Sequence, residues 1–205
     1  MENKHYIHSY CTIQERKITL NGNVVFTSEE PGFSSFSKKG YQNFEMNYPK
    51  FFKMDNLSKL AFMGAELLLK GIIDISNENN IALNFSNKAS SLDTDVKYQN
   101  SITDKENYFP SPAIFVYTLP NICLGEISIK HQLKSENSFF IFEEFNSEFT
   151  VNYADILLNT KKADQVLCGW VDYLKDDYKA FLYLVSKEES ATIHNKQEVE
   201  TLFNS

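Results

Sequence analysis

Cysteine is scarce in this chain. Its three residues, Cys11, Cys123 and Cys168, are far apart and odd in number. No CxxC pair occurs, so neither a disulfide framework nor a cysteine zinc site is indicated, and a reduced, cytoplasmic setting is expected. Positive charge is also in deficit: 20 Lys and Arg face 27 Asp and Glu, a net charge of −7. Nonspecific nucleic-acid binding needs a basic surface, so that class is excluded. Long apolar runs are missing as well. The most apolar stretch, "LAFMGAELLLKGIIDI" at 60–75, is broken by Glu66, Lys70 and Asp74 and is too short and charged to span a bilayer. The opening residues, "MENKHYIHSYC", hold no apolar core of signal-peptide length. No glycine-rich phosphate loop and no Ser-His-Asp order is present. The four histidines are scattered. His5 and His8, three apart on a predicted strand, point to opposite faces; His131 stands alone; His194 lies in a polar tail where exposure is expected. No metal and no cofactor is therefore expected.

What is abundant is aromatic: 17 Phe and 11 Tyr in 205 residues. Such a chain can bury a real core, and a single domain over 1–205 with a polar tail at 189–205 is expected. "HYIHSYCTI" (5–13) reads as an opening strand. Residues 14–54 read as irregular, with turn signals at Asn21-Gly22-Asn23, Pro31-Gly32 and Lys39-Gly40. "MDNLSKLAFMGAELLLKG" (54–71) is a helix with Asp55 as N-cap and Gly71 as its stop, and its wide apolar face predicts burial. Strands are expected at 81–86, 138–143, 164–170 and 179–188, with the last two pairing antiparallel. Helices are expected at 90–102, with Ser90 and Asp93 as a capping box, at 118–131, with Pro120 in its first turn, and after a cap at Asn146 or Ser147. Residues 103–112 read as a loop. Strands alternating with helices predict an α/β layered sheet.

Four stretches then resemble one family in order and spacing. "KMDNLSKLAF" (53–62) is similar to an R-x-M-D-x-x-s-x-L-A helix start. "SPAIFVYTLPNICLGEISI" (111–129) has Asn121 and Gly125 four apart. "QLKSE" (132–136) stands where the pattern has G-L-x-G-P. "KKADQVLCGWVD" (161–172) matches a G-x-A-D-x-x-L-x-G-G strand at Ala163, Asp164 and Gly169. Over about residues 50–190 the chain resembles the N-terminal half of the β-ketoacyl synthases, the acyl-carrier-protein-dependent condensing enzymes. The resemblance implies a thiolase-like half-fold, a five-stranded mixed sheet with helices on both faces.

The departures bear on chemistry. In the family the nucleophilic cysteine stands nine residues beyond the position of Ser135 and twenty before that of Asp164; both counts reach Glu144. Gln132, Ser135 and Trp170 stand where the pattern has glycine. The family's two catalytic histidines belong to its second half. Claisen condensation needs a thiolate to carry the acyl chain and an oxyanion hole; an anhydride on Glu144 would hydrolyse. No catalytic residue is therefore assigned. Glu143 and Glu144 read as acids at a strand end before a helix N-terminus, where the dipole favours them. Asp172 reads as a strand-end cap.

The expectation is a non-catalytic ketosynthase-like accessory protein in a fatty-acid or polyketide pathway, aryl-polyene-type pigment synthesis included. One alternative is a subunit of an active 3-oxoacyl-acyl-carrier-protein synthase complex; another is a binding module reusing the half-fold. A lone half leaves apolar surface uncovered, so a homodimer, or a heterodimer with a full-length ketosynthase, is expected through the 138–143 strand. Arg16-Lys17, Lys38-Lys39 and Lys50/Lys53 are the basic pairs that could meet an acyl carrier protein.

Overall fold

The computed structural model describes residues 4–74, 76–106 and 108–205. Residues 1–3 of the opening stretch, Ile75 at the end of the apolar stretch and Asn107 of the 103–112 loop lie outside the described residues. The chain opens with β1 (Tyr6–Gln14), β2 (Lys17–Leu20) and β3 (Asn23–Thr27), followed by α1 (Phe33–Asn43), a 3-10 turn at Pro49–Lys53 and α2 (Asn56–Leu69). Then come β4 (Ile81–Asn87), α3 (Leu92–Thr103), α4 (Pro112–Phe115), α5 (Ile122–His131) and β5 (Asn137–Ile141). The chain closes with α6 (Ser147–Asn159), β6 (Gln165–Leu174), β7 (Asp177–Ser186), β8 (Thr192–Ile193) and α7 (Lys196–Phe203).

The strands form one mixed sheet in the order β3-β2-β1-β7-β6-β4-β5, with β8 added beside β1. The five expected strands are all there as β1, β4, β5, β6 and β7, and β6 pairs antiparallel with β7. The sheet has eight strands rather than five because 17–27 forms a hairpin and 192–193 joins β1. The hairpin turns on Asn21 and Gly22, both at positive φ, the two-residue geometry that matches strand twist.

β4 is buried along all seven residues and pairs parallel with both β5 and β6. Parallel neighbours need crossovers, which carry helices to both faces. On one face α1, α2 and α5 cover Cys11, Ile13, Leu167 and Leu182; on the other α6 and α7 cover Ala82, Val166, Phe181 and Val185.

The 54–71 reading holds. Asp55 caps α2, its carboxylate accepting the Ser58 N–H at 2.9 Å, and Gly71 follows at φ +80°. Other boundaries differ. Residues 14–54 are ordered rather than irregular. α1 has no side-chain cap, only Gly32, and only Phe33, Phe36, Ser37 and Gly40 are buried, so it gives little sequence signal. The Ser90–Asp93 capping box does not form. Ser90 sits at φ +53°; Ser91 is the N-cap, and its hydroxyl donates to the Thr118 carbonyl. Asp93 accepts from the Lys175 N–H and pairs with Lys97 at 2.6 Å. Pro120 precedes α5 rather than entering its first turn, and 112–118 forms separate short helical turns.

Gln132 ends α5 at φ +55°, ψ +39°, the left-handed cap conformation that glycine adopts without a Cβ penalty. Replacing Gln132 with Gly is expected to stabilise the fold by about 0.5–1 kcal/mol in urea denaturation. A loss of stability would show that the Gln132 side chain contributes more than its backbone strain costs.

Candidate functional site at the 142–146 turn

β5 ends at Ile141, and residues 142–146 turn into α6. Glu143 and Glu144 are therefore in the turn and not on the strand; strand alternation does not set their directions. Both are exposed. Asn146 is the N-cap, its side-chain oxygen accepting the Phe149 N–H at 2.9 Å. The Ser147 hydroxyl donates to Glu200 of α7 at 2.7 Å, and Lys196 pairs with Glu148 at 3.2 Å. A shallow cleft of about 350 Å³ results, lined by Glu143, Glu144, Glu148, Glu200 and the single cation Lys196 among others. No cysteine or histidine lines it. Neither Glu143 nor Glu144 makes a hydrogen bond or ion pair with another described residue. The arrangement gathers negative charge near a helix N-terminus, which tolerates it, and its lining offers carboxylates, the Ser147 hydroxyl and the Lys196 amine but no thiol or imidazole.

Behind the turn the space is filled. Phe145 stacks on Phe203 of α7 at 4.5 Å between centroids and meets Phe181 at 5.9 Å and Trp170 at 6.1 Å. Trp170 is buried on β6 beside Gly169, where an added Cβ would stand 3.1 Å from the Phe85 ring. Gly169 is thus required for close approach on one face, while its neighbour fills the other.

The cysteines lie elsewhere. All three are fully buried; burial pushes the Cys11 and Cys168 thiols up to about 12, and Cys123 well above its ordinary value. A thiolate nucleophile is not available from any of them near neutral pH. Asp172 is a structural cap, accepting the backbone N–H groups of Lys88 and Ala89 at 3.1 and 2.8 Å. Of the basic pairs, Lys39 and Lys50 are engaged with Glu30 and Glu126 at 2.7 and 2.8 Å, and Arg16 donates to the Glu29 carbonyl.

His194 overturns its expected exposure: it is buried, with its Nδ1 3.2 Å from Asp155 Oδ1. His5 precedes β1, and its Nδ1 meets the same oxygen at 2.6 Å. His8 turns instead to the Ser186 hydroxyl at 2.8 Å, and His131 to Glu66 at 3.1 Å. Burial raises the Asp155 carboxyl, but hydrogen bonds from His194 and His5 outweigh it and hold the group below its ordinary value. Sequence spacing of 150 and 39 residues gave no sign of this convergence.

β5 is the last strand of the sheet, so one side of its backbone has no strand beside it. Phe140 and Phe142 pack on Phe149 at 4.7 and 5.1 Å, and Ile141 is exposed. Further apolar side chains stand exposed on the segment after β4: Tyr108, Phe109, Phe115 and Leu119. Among the described residues no single helix is long and apolar enough to cross a membrane.

No protein-family model matches the sequence, and no curated protein matches it. Solved structures do match in fold. The ishigamide ketosynthase/chain length factor aligns with a TM-score of 0.68 at 14% identity, over 92% of this chain and 63% of that one. A β-ketoacyl synthase from Burkholderia phymatum STM815 aligns with a TM-score of 0.61 at 11% identity, over 91% of this chain and 59% of that one. The complex of a ketosynthase (ApeO) with its chain length factor (ApeC) from Xenorhabdus doucetiae contains a chain that aligns with a TM-score of 0.60 at 12% identity, over 98% of this chain and 90% of that one. The fold is the thiolase-like ketosynthase fold. The chain spans about three fifths of the first and second of these relatives, and nearly all of the third.

Trp170→Gly, which restores the residue of the family pattern, is expected to cost about 3–5 kcal/mol through the cavity it opens against Phe145. Thermal or urea unfolding reads this, and a neutral effect would mean that the aromatic cluster behind the turn does not support it.

Proposed function

We propose that this protein is a non-catalytic, ketosynthase-like partner that associates with a full-length ketosynthase in acyl-carrier-protein-dependent fatty-acid or polyketide synthesis. Aryl-polyene-type pigment synthesis is the setting the sequence resemblance suggests. In this reading Glu144 occupies the position of the condensing cysteine, and the chain keeps the strand–turn–helix without the reaction. The observation that carries it is the turn itself: an exposed carboxylate in a cleft without a thiol or imidazole, backed by Phe145, Trp170 and Phe203 where an acyl chain would need room.

Partnering is supported by the free edge of β5. An unpaired strand edge is a template for pairing with another chain, and an exposed apolar residue on it favours that outcome. The near full-length alignment to a chain in a ketosynthase–chain length factor complex supports the same partner class. The acidic cleft at the turn bears on the carrier as well. An acyl carrier protein that is itself acidic would be repelled there, so carrier contact would fall to the ketosynthase.

The isolated protein is expected to show no acyl-carrier-protein-dependent condensation, and Glu144→Cys is expected to gain none, because no imidazole lines the cleft. Condensation by the unmodified chain alone would overturn the reading. A subunit that completes an active synthase is distinguished by reconstitution, in which Glu144→Ala would lower the activity of the complex. Ile141→Asp is expected to leave the melting curve unchanged, since the residue is 49% exposed, and to abolish copurification with the ketosynthase. Retained copurification would move the interface away from β5.

A further inference from the structure

Two imidazoles and one carboxylate converge around Asp155 of α6, beside a cleft that adjoins the turn cleft through Glu148 and Lys196 but does not include Glu144. His5 Nδ1 and His194 Nδ1 stand 2.6 and 3.2 Å from Asp155 Oδ1, and one ligand atom from each residue lies within 4.8 Å of the other two. Both histidines are buried, 3% and 6% exposed, while the Asp155 side chain is 34% exposed. The cluster therefore has closed sides and one open side. The open side faces a cleft of about 550 Å³ bordered by Lys4, Val151 and Asn195.

The surroundings suit ligation. His194 Nε2 lies 3.3 Å from the Tyr183 hydroxyl, which is also hydrogen-bonded to Cys168. The tyrosine oxygen there can accept a hydrogen bond from Nε2–H, which keeps the proton on Nε2 and leaves a lone pair on Nδ1, the outer-partner arrangement typical of metal-bound histidine. His5 Nε2 is buried with no hydrogen-bond partner and Asp155 accepts on the Nδ1 side, so ligation through Nδ1 requires that ring to carry its proton on Nε2 instead. Ligand atoms around a tetrahedral zinc stand about 3.3 Å apart, so the three atoms need side-chain adjustments of only about 1 Å to accept one.

We propose that His5, Asp155 and His194 form a site for a divalent cation of zinc type, with a fourth position open to the cleft. Two nitrogens and one carboxylate oxygen suit a borderline cation; calcium and magnesium prefer oxygen shells. Ligation displaces the hydrogen bonds between both imidazoles and Asp155, so the cation and the hydrogen-bonded cluster are alternative states of the same three side chains. The ion would tie the residue before β1, helix α6 and the segment before α7, which lie far apart in sequence, into one clasp.

The test uses untagged full-length protein freed of metal with a chelator and titrated with cobalt(II), then zinc(II). One equivalent of cobalt is expected, with the intense visible bands of a tetrahedral site, and zinc is expected to displace it. His5→Gln and His194→Gln should each weaken binding by more than the roughly 10- to 100-fold that loss of an outer partner costs. His8→Gln should leave it unchanged. No uptake by the unmodified chain, or uptake with an octahedral spectrum that His194→Gln does not alter, would overturn the proposal. Should the ligand variants fail to fold, stoichiometry and spectrum of the unmodified chain and of His8→Gln still decide it.

Discussion

The parallel pairing of β4 with both of its neighbours is the constraint on which the rest depends. A strand buried at every position and flanked in parallel cannot be joined to β5 or β6 by a tight turn. The chain must cross over, through α3, α4 and α5 in one case and α6 in the other. Those crossovers put helices on both faces, divide the core in two, and leave β5 at the edge with a sharp turn into α6. The exposed carboxylates at 143 and 144, the acidic cleft and the free strand edge are all consequences of where that turn falls.

Chemistry and association are linked through the same turn. A condensing nucleophile needs a low-dielectric pocket and room for an acyl chain behind it. Here Phe145, Trp170, Phe181 and Phe203 fill the space behind the turn, and α7 places Glu200 on Ser147 at the start of α6. The residues that close the pocket also brace the turn. In the proposed reading, absence of the reaction and rigidity of the elbow have one cause, and the edge of the sheet is the surface offered to a partner.

Much of this was legible in the sequence where one signal dominated. The cap at Asp55, the apolar run of β4, the cap at Asn146 or Ser147 (Asn146 in the structure) and the β6–β7 pair each rested on local chemistry that tertiary structure did not override. The failures are equally physical. α1 has a glycine at its cap position and a narrow buried stripe, so its period was hidden among turn residues. Ser90 and Asp93 have the spacing of a capping box, but the Ser90 N–H donates to Asn87 Oδ1 and the Asp93 carboxylate accepts from the Lys175 N–H, both from outside the helix. His194 sits in a polar segment and was expected at the surface. It is buried because β8 pairs with β1 and α7 packs onto Phe181, which carries the intervening residues inward. No periodicity within residues 189–205 encodes that docking. The Asp155 cluster was invisible for the same reason: its members share a place, not a spacing.

The central claim is that β5 is where a ketosynthase docks. Hydrogen exchange measured on this protein alone and with a full-length ketosynthase from the same organism tests it most directly. The account predicts strong new protection of the backbone amides of 137–142 in the complex, with β4 unchanged because it is already paired on both sides. A complex that forms while β5 exchanges at its free rate would contradict it.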